Sequence, residues 1–202
     1  MTSTNWELVP AMCLFAFTIA ITPGPNNFML AFSGASSGVL SSWRHLIGIR
    51  IGILFLLLVC STSIGVTLFS YPSIFLYIKI VGLTYILWLI LILILNNPFS
   101  GKDKEKKSFN ISKATLFQLV NVKAWMGSLS LISTYSIPED YWLSVWLIIL
   151  IFSFFGFIAN LLWVLLGKYI RTLLNTNFKQ RVFSVFIAFL TLLSISPTLF
   201  VL

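Results

Sequence analysis

The chain has 202 residues, of which 58% are hydrophobic and 9% charged, and its formal net charge is +8. Soluble domains carry about a quarter charged residues, so an ordinary soluble protein is excluded and a membrane-embedded one is implied. The basic excess is not a nucleic-acid footprint, because it falls mostly in short connections between apolar runs.

A membrane-crossing helix needs about 20 apolar residues, and the runs at 7–33, 46–69, 72–96, 114–135, 142–166 and 182–202 each supply them. The first is not a cleavable leader, since Glu7 stands where a basic n-region belongs. It is interrupted by Thr22-Pro23-Gly24-Pro25-Asn26-Asn27. Proline lacks an amide donor and clashes with the preceding turn. Carbonyls freed at membrane depth then need protein, water or a ligand as partner. Many secondary transporters build a substrate site at such a break, so Thr22, Pro23, Gly24 and Pro25 read as the break or gate, with Asn26 and Asn27 as binding residues beside it.

In the second run Gly48 and Gly52 have the GxxxG spacing of close helix packing. Arg44 and Arg50 flank the connection before it, and the lone His45 falls in the same loop without an acidic or cysteine partner. Cys13 and Cys60 lie in apolar runs and read as free thiols, so neither a metal site nor a cofactor is expected. Lys79 in the third run lies about 10 Å from the outer end at 1.5 Å per residue, and either faces an internal cavity or snorkels outward. The fourth run carries Gln118, Asn121 and Lys123, the lysine about 14 Å along the helix and so near the middle of a ~30 Å core. A central lysine costs about 2.5–3.5 kcal/mol in lipid, so Lys123 should face an internal cavity. Asn160 adds an amide in the fifth run.

Eleven of the 13 basic residues fall on one side of this six-run arrangement: Arg44, Arg50, Lys102, Lys104, Lys106, Lys107, Lys113, Lys168, Arg171, Lys179 and Arg181. Basic loops stay cytoplasmic, so both termini are expected outside, in the periplasm. The polar connection at 98–111 splits one membrane domain, 1–202, into halves at 1–97 and 112–202. Three spans per half place the halves in opposite orientation, the geometry of a 3+3 inverted-topology repeat. The predicted fold is therefore an all-α, six-span integral membrane protein.

No Asp or Glu lies deep in any run. Two intramembrane cations without a protein counter-ion call for a ligand carboxylate, while amides and freed carbonyls can receive an ammonium group. That is the recognition pattern of an amino acid. An intramembrane enzyme would need a nucleophile with a base, or a metal cluster. Only Lys123 with Ser128 or Ser130 offers such a pair, so no enzymatic activity is expected. The remaining alternative is a non-transporting assembly subunit whose buried amides are interface glue.

The motif at 22–27, Gly48 and Gly52, the run at 79–89 containing Gly82, Tyr85 and Trp88, the run at 117–123, and Asn160, Trp163 and Gly167 together resemble the LysE/RhtB amino-acid exporters over nearly the whole chain. Many members have a proline where Val122 stands, and an acid where Ile53 stands. With Cys60 these departures are similar to the cysteine/O-acetylserine exporter branch. The resemblance implies efflux of a small amino acid across a bacterial inner membrane by a multi-pass protein, with protons as the coupling ion. Threonine or homoserine, leucine and basic amino acids are the alternative cargoes. Membrane lipid is the surrounding partner, and a homo-oligomer is left open.

Overall fold

The computed structural model describes residues 7–62, 70–95, 99 and 110–200. The expected linker at 98–111 lies outside these apart from Phe99, Asn110 and Ile111, as do four of its topology-setting lysines. The described helices are α1 (Leu8–Ile21), α2 (Pro25–Ser37), α3 (Val39–Cys60), α4 (Pro72–Leu95), α5 (Ile111–Val120), α6 (Val122–Tyr135), α7 (Tyr141–Arg171) and α8 (Asn177–Phe200). A 3-10 turn at Pro138–Asp140 leads into α7, and no strand occurs among the described residues.

The fold is all-helical, as expected. By length and apolarity α3, α7 with its 3-10 turn, and α8 can each cross a membrane. The bent pair α1–α2 makes a fourth span if it crosses as one. Large apolar side chains such as Leu14, Leu150, Phe154 and Phe189 point outward, as suits a protein solvated by lipid.

Each proline of the first motif acts on the residue before it. Thr22 and Gly24 both leave the α region, Gly24 being fully extended, because a following proline ring crowds helical backbone. Pro25 then opens α2 at a position where its missing donor is harmless. The two helices meet at 65°.

Helix α3 begins at Val39, seven residues before the expected run. Gly38, at φ 83, ends α2 and leads directly into α3. The polar residues that suggested a loop are absorbed by the helix pair. Ser42 Oγ donates to Gly38 O at 2.8 Å and lies 2.8 Å from Ser33 Oγ. Two readings change with this boundary. His45 is not in a loop but wholly buried within α3. Arg50 does not flank a connection; it stands at the middle of the helix, about 16 Å from its start.

Helix α2 packs most extensively on α7, and α3 on α5. Missing side chains make both contacts close: a Cβ on Gly34 would sit 2.1 Å from Val164 O, and one on Gly167 1.8 Å from Ala31 O. Gly48 and Gly52 do the same for α3 against α5, where Cβ atoms would lie 2.5 Å from Ile111 O and from Gln118 Cγ. One apolar core is shared by α1, α3, α6 and α7 with Leu30 of α2 and Ala114 of α5, and a second by α2, α4, α5 and α8. At the C-terminus of α2, Arg171 Nη1 donates to Ala35 O and Ser36 O, both at 2.7 Å, the favoured place for a cation.

Candidate functional site

The end of α1 exposes carbonyls that no following helical turn can satisfy, and side chains from three helices meet them. Asn27 Nδ2 lies within reach of Ala20 O (3.0 Å), Ile21 O (3.3 Å) and Thr22 O (2.8 Å). Trp163 Nε1 of α7 donates to Ile21 O at 3.1 Å. Lys123 Nζ of α6 donates to Thr22 O, and at 3.4 Å to Pro23 O. Gly24 makes room for that lysine, since a Cβ there would meet Lys123 Cδ and Nζ at 3.2 Å. Of the carbonyls at the first break, expected as acceptors for an ammonium group, those of Ala20, Ile21, Thr22 and Pro23 are thus already taken by protein donors.

A second break separates α5 from α6 at Asn121, whose φ of −88° and ψ of 99° are extended. Trp125 Nε1 caps Leu119 O across it at 2.8 Å. The two breaks are tied by a reciprocal amide pair: Asn26 Nδ2 donates to Gln118 Oε1 at 2.7 Å, and Gln118 Nε2 returns a bond to Asn26 Oδ1 at 3.0 Å. Gln118 is completely buried.

Between the breaks lies a cavity of about 50 Å³. Gly24, Pro25, Asn26 and Asn27 border it from one side and Asn121 and Lys123 from the other, with Asn160 from α7. The structure therefore brings together residues 24–27 and 121–123, at least 94 positions apart, that the sequence singled out separately. Lys79 is 6% exposed and does not snorkel; it borders a neighbouring cavity of about 40 Å³, which shares Pro25, Asn121 and Lys123 with the first. Thr22 and Pro23 contribute carbonyls, and Gln118 acts through Asn26.

Sequence reasoning missed Arg50, which also borders the main cavity. Its Nη1 donates to Phe152 O at 3.3 Å, and its buried Nε has no hydrogen-bond partner among the described residues. Gly156 of α7 supplies the room, because a Cβ there would lie 2.4 Å from Nη1. The signal lay in the helix boundary: once the chain from Val39 is read as helix, Arg50 falls at mid-span. Trp125 and Trp163 serve the breaks as indole donors.

No family model and no solved structure matches the chain. Among curated proteins it is similar to a cysteine/O-acetylserine efflux protein of Klebsiella pneumoniae, 31% identical over 171 residues, covering 82% of this chain and 85% of that one. Proteins of the same description from Salmonella typhimurium (28% over 162 residues, 79% and 82% covered) and Escherichia coli K12 (27% over 176 residues, 86% and 89% covered) are similar as well. With that identity sustained along most of both sequences, the chain belongs to the family of the cysteine/O-acetylserine efflux proteins, of LysE/RhtB type.

Proposed function

We propose that this protein is a secondary-active exporter of small amino acids or their derivatives, of the size of cysteine or O-acetylserine, in the inner membrane of a bacterium. The observation that carries the reading is the meeting of two broken helices around a cavity bordered by amides and two cations in an otherwise apolar molecule, the arrangement in which transporters hold cargo. The efflux proteins to which the chain is similar support the same direction of transport. In this proposal the six apolar runs cross the membrane as two inverted halves of one domain, with both termini periplasmic. Alternating access is the motion of one half against the other around the breaks.

At about 50 Å³ the cavity holds a few water molecules, a site for one needing about 10–15 Å³. In this reading cargo entry parts the helices. Lys123 can couple the two events. In the closed arrangement it caps Thr22 and Pro23 carbonyls, and an arriving carboxylate competes for the same ammonium group, releasing the end of α1. Asn27 keeps the break formed, Asn26 and Asn121 border the cargo, and Lys79 meets it from the adjoining cavity. Protons are the proposed coupling ion.

The test is flux in proteoliposomes loaded with labelled cysteine, O-acetylserine, threonine, leucine or lysine, with and without a pH gradient. The expected outcome is gradient-stimulated efflux of one or more of the small neutral members. Absence of flux for every one of them, and for acidic amino acids as well, in vesicles containing folded protein, removes the exporter reading.

A further inference from the structure

The cavity is bordered by cations and by no acidic residue. Arg50 and Lys123 both border it, and Lys79 borders its neighbour. The first turns of α2 and α6 also line it, at Pro25–Asn27 and at Lys123 and Ala124, and a helix N-terminus carries partial positive charge. Asn160 is 3% exposed, and its Nδ2 is a further donor without a partner among the described residues. On the acceptor side, the carbonyls of Ala20, Ile21, Thr22 and Pro23 are occupied by Asn27, Trp163 and Lys123. Phe152 O receives Arg50, and Asn26 Oδ1 receives Gln118. The carboxamide oxygens of Asn27, Asn121 and Asn160 remain for an ammonium group. All five acidic residues of the chain lie at positions 7, 103, 105, 139 and 140, outside the cavity-lining segments.

A neutral zwitterion brings one carboxylate to this surplus of positive charge and leaves one cation uncompensated, which is costly where water is excluded. An amino acid with a second acidic group matches it better. One carboxylate meets Lys123 and the helix N-termini, the ammonium meets the Asn121 and Asn160 oxygens, and the second anionic group takes the guanidinium of Arg50, whose planar fork suits a carboxylate. We propose that Arg50 is a specificity-determining residue and that the preferred cargo is a small amino acid carrying net negative charge. This rests on the exporter reading and narrows its cargo.

The experiment is competition in proteoliposomes, using aspartate, glutamate and cysteate against cysteine, O-acetylserine and lysine, with thermal stabilisation of the detergent-solubilised protein by the same compounds as a transport-independent readout. The acidic compounds should compete and stabilise at concentrations about tenfold lower than the neutral ones, a margin of ~1.4 kcal/mol. Arg50→Gln should cut the acidic-to-neutral preference about tenfold, and Arg50→Lys should retain part of it. Transport of neutral compounds without an acidic preference overturns this inference and leaves the exporter reading standing. An acidic preference that survives Arg50→Gln in folded protein overturns the role of Arg50. Neither flux nor stabilisation by any compound overturns both. If Arg50→Gln does not fold, the wild-type preference decides the cargo class and Arg50→Lys decides the residue.

Discussion

The two helix breaks reach similar geometry by different means. The first is written into the covalent chain: two prolines force Thr22 and Gly24 out of the helix, and Asn27, Trp163 and Lys123 then hold the stranded carbonyls. The second has no proline. Asn121 is extended without a side-chain cap to the next helix, and the indole of Trp125 is the principal donor across it. A break imposed by ring sterics is permanent, whereas one held by polar contacts can re-form as helix. In the proposed transport cycle the first break would then serve as scaffold and the second as the hinge.

The largest effect is expected where the two breaks touch through a charge. Lys123→Gln, at unchanged membrane abundance, should lower export about a hundredfold, since a charge-assisted bond contributes about 1.5–3 kcal/mol and the variant loses the cation a cargo carboxylate would meet. Wild-type flux in that variant would remove Lys123 from the site. Asn27→Ala should come next, as a loss of stability by about 2 kcal/mol, because Ala20 O loses its side-chain donor and a buried unpaired group costs roughly 1–3 kcal/mol. The check is the melting temperature in detergent; an unchanged value would mean that the prolines alone hold the first break. Smaller again is the link between the breaks. A double-mutant cycle of Asn26→Ala with Gln118→Ala should give a coupling between about 0.6 kcal/mol, the average for polar pairs inside membranes, and about 1.7 kcal/mol, the maximum. Strict additivity would show that the breaks do not sense one another.

The same contrast explains what could be read from the sequence. Prolines act on their own neighbours, so the first break was legible from six residues, and mid-span amides and lysines identified themselves by the cost of burying them. Arg50 was not legible, because the apolar-run criterion placed the start of its helix too late: serines, Arg44 and His45 look like loop until Ser33, Ser42 and Gly38 are seen to satisfy one another. Nor could local pattern show that the carbonyls of α1 were already occupied. The donors come from Trp163 and Lys123, 142 and 101 positions away from their acceptors, and such distant pairing is invisible to residue spacing.

The finest effect tests the hinge directly. At Val122 a proline would occupy the first position of α6, where a missing amide donor costs nothing. The preceding residue, Asn121, already has the extended backbone that a following proline demands. Val122→Pro should therefore stabilise the protein by about 0.4–1 kcal/mol through restriction of the unfolded chain, while making the second break as permanent as the first. If α5 and α6 join transiently during transport, the same substitution raises the melting temperature and slows export together. A higher melting temperature with undiminished flux would assign the hinge elsewhere. A lower one would mean that the backbone at Val122 does not accept the ring, and that the second break differs from the first in geometry as well as in cause.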